Sequence, residues 1–287
     1  MWYMADEAGE TGDTGCIYFT KLQGNGNDFV LIDETEGAVV PDEMRRQLAT
    51  LYCDRRFGVG ADGILFLSRS EKANLKMRLF QPDESEAEMC GNGIRCLAKY
   101  ARDMDYVKDE CTIETLAGEI RVKMRYDAEG EFMATIGMPA PKFARSDIPA
   151  TGEGEYKEEI MGNTVYAVNT GVPHAVIIVD EIGSVDLDSV APLVRNHASF
   201  INGANVNFVE KSGENTLRIR TYERGVEEET LSCGTGAMAS AAVARKLGMV
   251  GDTVQVETWG GPLTVRLGDV NETEGPARTV FTGAIPL

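Results

Sequence analysis

The sequence predicts an α+β fold built from two similar halves. Three observations lead there. Short strand-like runs recur along the whole chain, helical periodicity is confined to three places, and one strand–loop–helix unit occurs twice. Many strands without a regularly alternating helix disfavour a doubly wound parallel sheet.

Taken in chain order, runs rich in Val, Ile, Phe and Thr and bounded by Gly, Asn, Asp or Pro predict strands at 17–22, 29–33, 64–67, 76–80, 112–115 and 119–126. The pattern resumes at 165–169, 175–180, 207–209, 217–222, 253–257, 263–267 and 279–281. Met44, Leu48 and Leu51 repeat at helix spacing behind the start signal Pro41-Asp42. Leu97, Tyr100, Ala101 and Met104 do so after Cys90. Ala237, Ala241 and Ala244 do so after Cys233, with Gly248 as a stop.

The duplicated unit reads Arg78-Leu79-Phe80-Gln81, then Glu86, then Cys90-Gly91-Asn92-Gly93 opening a helix. Its copy reads Arg220-Thr221-Tyr222-Glu223, then Glu229, then Cys233-Gly234-Thr235-Gly236. Upstream of each lies an asparagine-containing turn followed by Phe-Val, at Asn27-Asp28-Phe29-Val30 and Asn205-Val206-Asn207-Phe208-Val209. Such self-similarity predicts two halves of one fold. The turn at 129–131 and the break at 138–141 put the crossover near 130–140, giving halves 16–131 and 132–275.

The 287 residues are 43% apolar and 26% charged, ordinary globular usage that excludes wholesale disorder. Acids outnumber bases 46 to 28, for a net charge of −18. That balance argues against nucleic acid and against anionic membrane surfaces as partners. Asp6, Glu7, Glu10 and Asp13, with no base among residues 1–15, are the wrong polarity for an export signal and predict a disordered acidic leader. The uncharged stretch 160–179 is broken by Gly162, Pro173 and His174, so it predicts no bilayer helix. Six cysteines without an export signal read as reduced thiols in the cytoplasm.

Cysteine at a helix start has a physical logic. The first helical N–H groups lack internal partners, and the helix dipole places partial positive charge there. The expectation is a thiol pKa below its ordinary value, with glycines letting a carboxylate approach the free N–H groups. Two such halves facing each other would put a base on either side of one carbon, as racemisation or epimerisation requires. Neither metal nor cofactor is called for. Two other readings stay open on these residues: a different two-base amino-acid racemase, and a thiol-redox protein pairing Cys90 with Cys233. Cys53, Cys96 and Cys111 lie in helix or strand patterns and read as inert core thiols. The acidic runs 153–159 and 227–229 read as solvated loops, except for the duplicated Glu229.

Several motifs resemble the diaminopimelate epimerase family. They are Gly24-Asn25-Gly26-Asn27-Asp28-Phe29, Gly58-Val59-Gly60-Ala61-Asp62-Gly63, Cys90-Gly91-Asn92-Gly93-Ile94-Arg95-Cys96 and Asn169-Thr170-Gly171-Val172-Pro173-His174. Asn202-Gly203-Ala204-Asn205 and Tyr222-Glu223-Arg224-Gly225 through Cys233-Gly234-Thr235-Gly236 follow in the family's order. The resemblance implies two pseudo-symmetric halves, each a β-barrel-like sheet around a central helix, with the site in the cleft between them and residues 276–287 returning to the first half. It implies cofactor-independent interconversion of LL- and meso-2,6-diaminopimelate on the way to lysine, in a homodimer. Cys90 and Cys233 match the acid/base pair, and His174 and Glu223 the residues that assist them. Gly91, Asn92, Gly234 and Thr235 match the α-carboxylate cradle. Asn27, Gln81, Asn205, Glu223 and Arg224 match further substrate contacts, Arg224 for the distal carboxylate. Gln81 stands where many relatives have Asn, Val172 where many have Asn, and Gly63 where some have Gln.

Overall fold

The computed structural model describes residues 15–287. The expected acidic leader therefore lies, but for Gly15, outside the described residues. The first half runs β1 (Cys16–Gly24), β2 (Asn27–Asp33), α1 (Arg45–Cys53), β3 (Gly63–Arg69), β4 (Leu75–Phe80), β5 (Glu86–Ala87), α2 (Gly91–Asp103), β6 (Glu110–Thr115), β7 (Gly118–Tyr126) and β8 (Phe132–Met138). After β9 (Lys157–Ile160) the order repeats. It runs β10 (Asn163–Asn169), β11 (Pro173–Ile178), α3 (Leu187–Arg195), β12 (Asn205–Gly213), β13 (Thr216–Tyr222), β14 (Glu229–Thr230), α4 (Gly234–Lys246), β15 (Thr253–Thr258), β16 (Gly261–Arg266) and β17 (Asn271–Pro276). β18 (Arg278–Pro286) ends the chain.

The pairings repeat as faithfully as the order. β2 runs parallel to β3 and β11 to β12, β4 parallel to β6 and β13 to β15, and the other neighbours in each half are antiparallel. The two copies meet where β8 pairs antiparallel with its counterpart β17, from Met138↔Asn271 to Met133↔Pro276. That antiparallel joint between equivalent strands is what a pseudo-two-fold relation produces. Each half also hands its last strand to the other. β18 follows the second half but pairs with β1, while β9 follows the first half but pairs with β10.

Each sheet wraps one helix. Ile94, Cys96, Leu97, Ala98 and Ala101 of α2 are fully buried in a core with Phe29, Leu65, Leu79 and Ile113. Ala237, Met238, Ala239, Ala241 and Ala244 of α4 occupy the same place in the second half, among Val209, Leu217 and Val256. α4 is apolar on nearly every side, as only a central helix can be. Smaller cores lie on the outer faces of the sheets, with α1 contributing Leu48 and Ala49 to one and α3 contributing Ala191 and Val194 to the other. The sequence places the boundary at 131/132, but Phe132, Ala134 and Ile136 of β8 point into the first core. By this packing β8 goes with the first half.

Both central helices stop the same way. Gly248 donates to Arg245 O and Met249 to Ala244 O at the end of α4, with Gly248 at φ +71°. At the end of α2, Asp105 donates to Arg102 O and Tyr106 to Ala101 O, with Asp105 at φ +61°. This double bond pattern needs a left-handed residue, which glycine adopts freely and aspartate does not. Asp105 also sets a negative charge at the negative end of the helix, and its exposed pair with Lys108 offsets little. Asp105→Gly is therefore expected to stabilise the protein by about 1 kcal/mol. A urea unfolding midpoint that fails to rise would overturn this.

Candidate active site

Cys90 and Cys233 are the N-cap residues of α2 and α4, both in extended backbone conformation. Cys90 Sγ accepts from the Gly93 N–H at 3.5 Å, the job a serine or aspartate oxygen does at most helix starts. Gly91 and Gly234 follow, and a Cβ on Gly234 would meet only open space. Packing does not demand glycine there. The gap leaves the first helical N–H groups approachable.

A cavity of about 620 Å³ opens between the halves. Asn27, Gln81 and Cys90 line it from one side and Glu223 from the other. Asn27 Oδ1 lies 3.7 Å from Cys90 Sγ and accepts from Asn92 Nδ2 at 3.3 Å. Asn92 Nδ2 also reaches Ser232 O at 3.4 Å, crossing to the opposite half. Gln81 Oε1 accepts from the Ser85 hydroxyl in the tight turn after β4. Glu223 Oε1 accepts from Thr230 Oγ1 at 2.5 Å, and the charge of its carboxylate acts on the Cys233 thiol.

Behind Glu223, Cys233 Sγ lies 3.4 Å from Thr235 Oγ1, which lies 3.0 Å from His174 Nε2. Asn205 and Arg224 form a separate pair. The Asn205 carboxamide accepts from the Arg224 backbone N–H at 2.8 Å, and the guanidinium donates to Asn202 O and Gly203 O. Neither residue lines the cavity in this conformation; Arg55 does, held by Asp28 and Asp62. Asp62 also accepts from the Asn27 carboxamide and the Asp28 N–H, which fixes Asn27 at the rim. Arg55 and Asp62 carried no assigned role in the sequence, although Asp62 stands inside a quoted motif.

The duplicated acid has a structural job. Arg78 grips Glu86 through Nε and Nη2 at 2.6 and 2.9 Å, and Arg220 grips Glu229 in the same bidentate way at 2.7 Å twice. These forks tie each helix-start loop to its strand. The Asn-Phe-Val repeat is a false correspondence: Phe29 lies on β2 whereas Phe208 lies on β12, the counterpart of β3.

A profile of the diaminopimelate epimerase family matches residues 19–139 and 166–284. A protein named diaminopimelate epimerase from Methanothrix thermoacetophila is 54% identical over 271 residues, covering 94% of this chain and 96% of that one. One of the same name from Methanocella arvoryzae is 51% identical over 277 residues, covering 94% and 97%. The chain belongs to the diaminopimelate epimerase family. It is thereby an isomerase of the racemase and epimerase class. Among solved structures, a Bacillus anthracis phenazine biosynthesis protein of the PhzF family shares the fold at a TM-score of 0.73 and 18% identity, covering 95% of this chain and 99% of that one. A hydroxyproline epimerase from Agrobacterium vitis does so at 0.66 and 16%, covering 96% and 94%.

In this epimerase, burial wins over the helix dipole. The thiols of Cys90 and Cys233 are held above their ordinary pKa by desolvation, which outweighs the opposing Gly93 N–H at Cys90 and the Thr235 hydroxyl at Cys233, and the charge of Glu223 raises both further. This corrects the expectation of lowered thiols. Glu223 is itself raised by burial. His174 is pushed down to about 3 by desolvation and by Arg224, so its ring is neutral throughout the working range. A thiol with a raised pKa has a thiolate fraction that keeps climbing with pH. Alkylation of Cys90 in the free epimerase is expected to accelerate about tenfold per pH unit between roughly pH 6 and 9. Peptide mapping after timed iodoacetamide pulses would measure it, and a plateau below about pH 8 would mean the helix start prevails.

Proposed function

We propose that this protein interconverts LL- and meso-2,6-diaminopimelate without a cofactor, Cys90 and Cys233 exchanging the α-proton across the cleft. One observation carries the reading: two equivalent helix starts, each with a cysteine at its N-cap position, meet beside the cavity that Cys90 and Glu223 line, Asn92 of one bonding Ser232 O of the other. In one direction Glu223 accepts the proton of Cys233, and the thiolate takes the α-hydrogen from one face of the substrate. The Cys90 thiol then delivers its proton to the opposite face, leaving the pair with its roles exchanged for the reverse reaction. The negative charge that builds on the α-carboxylate lies before the N–H groups at Gly91, Asn92, Gly234 and Thr235.

Asn27 and Gln81 hold the substrate from the cleft wall. We assign the distal carboxylate to Arg224, presented by Asn205 once the 202–203 carbonyls release the guanidinium. The halves, with β8 and β18 added to the first, act as two jaws. The remaining proposals, a cytoplasmic homodimer serving lysine formation, rest on the family. No helix among the described residues is long and apolar enough to cross a membrane.

Incubation with LL-diaminopimelate in D₂O tests the reading. The expected result is one deuteron at a single Cα per conversion to the meso isomer, and no exchange with proline, histidine or glutamate. Turnover of one of those amino acids in place of diaminopimelate would overturn the substrate. Absence of Cα exchange with all of them would overturn the reaction class.

A further inference from the structure

We infer that Asn207 is a positioning residue that locks His174 in the Nε2–H tautomer, so that His174 donates toward Cys233 through Thr235 and does not take its proton. The argument starts from a carbonyl. Ala175 O can only accept, and it lies 3.1 Å from one end of the Asn207 carboxamide, so that end must be the NH₂ group. The other end then carries Oδ1, which accepts from Thr221 Oγ1 at 3.0 Å. The carboxamide is fully buried and pressed against the start of α4, where a Cβ on Gly236 would fall 2.5 Å from Oδ1. It has no room to turn over.

The second N–H of Asn207 meets His174 Nδ1 at 3.0 Å, so Nδ1 must present its lone pair. A neutral imidazole carries one proton, which is left to Nε2, 3.0 Å from Thr235 Oγ1. The Thr235 hydroxyl, accepting from the ring, turns its own hydrogen to Cys233 Sγ at 3.4 Å. Each bond in the line from Asn207 through His174 and Thr235 points at the sulfur. In the proposed reaction the Cys233 proton leaves in the same sense, toward Glu223. Arg224 is the charged group whose field reaches the ring, and it too disfavours an imidazolium.

The first half has nothing of the kind. The shared strand register sets Phe29 at the place of His174, Leu65 at that of Asn207 and Leu79 at that of Thr221. Phe29 and Leu65 pack against Gly93 where the second half packs its amide against Gly236. The duplicated fold therefore carries a polar line behind one thiol and hydrocarbon behind the other. An Nε2–H donor stabilises the thiolate once Glu223 has the proton, which is a supporting role that a ring acting as base cannot fill.

The inference rests on the proposed epimerase reading for its catalytic meaning, but its test does not. The chain has two histidines, so His197→Gln leaves His174 alone in ¹⁵N-histidine-labelled protein. A two-bond ¹H–¹⁵N spectrum should show a protonated Nε2 and a bare Nδ1, unmoved between about pH 5 and 8. Asn207→Asp puts an acceptor at Nδ1 and should move the proton onto that nitrogen. Thr235→Val removes the partner at Nε2 and should leave the tautomer as it was. A bare Nε2 in the parent protein, no change in Asn207→Asp, or a switch in Thr235→Val would each overturn the assignment. In turnover, Asn207→Asp should lower kcat about tenfold or more with little change in KM. Loss of epimerase activity in the parent with the tautomer intact would fault the functional reading alone.

Discussion

Alanine at Cys90 or at Cys233 is expected to lower the epimerisation rate by roughly 100- to 10,000-fold, the range a positioned proton-transfer group supplies. Either sulfur is half of the machinery, because inversion needs removal on one face and delivery on the other. The two variants should not be equivalent, however. Each retains one thiol, which can take and return a hydrogen on its own face. One variant should still wash deuterium into the LL isomer and the other into the meso isomer, each without inversion. Neither substitution should unfold the chain. The Cys90 bond to the Gly93 N–H is long and the Cys233 thiol caps nothing through its own side chain. Proton NMR in D₂O, begun from each isomer separately, gives both readouts. Turnover within about tenfold of the parent in either variant would end the two-base assignment.

The candidate site was legible because it is written twice. Cys90-Gly91-x-Gly93 and Cys233-Gly234-x-Gly236 announced two equivalent helix starts, and both cysteines are the N-caps. What duplication could not convey is which shared residues do chemistry. Glu86 and Glu229 repeat as faithfully as the cysteines, yet each closes a fork with an arginine eight or nine positions earlier. Arg78 and Arg220 were in plain view as their partners. Conversely, Asn207 and Thr221 matter because the halves differ there, and a search for similarity passes over them. A polar residue at an inward strand position, between Val206 and Phe208, was the available clue.

The strands missed in the sequence are those whose side chains say something else. Lys157-Glu158-Glu159-Ile160 looks solvated, yet it forms β9 at the edge of the second half, where Glu158 is held by Arg145 at 2.7 Å. β8 is flanked by the turn at Gly130 and the prolines at 139 and 141, and its alternation of Phe132, Ala134 and Ile136 was lost between them. β5 and β14 have two residues each, too short for any period. α3 carries Leu187, Ala191 and Val194 at helix spacing, masked by Pro192 inside it. The thiol pKa is a different kind of miss. The helix start is a local property that sequence reveals, whereas desolvation depends on what the other half brings to the cleft.

Arg95→Met is expected to destabilise the fold by about 3 kcal/mol, since it strips the donor from three acceptors, two of them on buried residues, at about 1–3 kcal/mol for each buried one. Arg95 lies on α2, five residues after Cys90, and is fully buried. No carboxylate pairs with it among the described residues. Its Nε donates to Pro276 O at 3.1 Å, and Nη2 donates to Asn25 Oδ1 at 2.8 Å and Asn92 Oδ1 at 2.5 Å. Both asparagines then reach across the seam, Asn25 to Gly260 O and Pro262 O, and Asn92 to Ser232 O. One guanidinium thus orients the amides that join the halves at the floor of the cleft. Its Nη1 has no partner, so burying the cation works against stability. Replacement by a neutral side chain of similar length recovers that desolvation cost, and the two effects oppose each other. Three charge-assisted bonds exceed it here, because the carboxamide oxygens left stranded belong to the buried residues Asn25 and Asn92. The cation also lowers the Cys90 thiol pKa slightly, so its loss should raise that thiol further. Urea unfolding of the Met variant, read as a midpoint shift at constant slope, measures the stability term. A loss below about 1 kcal/mol would mean that the halves are aligned by the β8–β17 joint alone and that Arg95 is a tolerated burden.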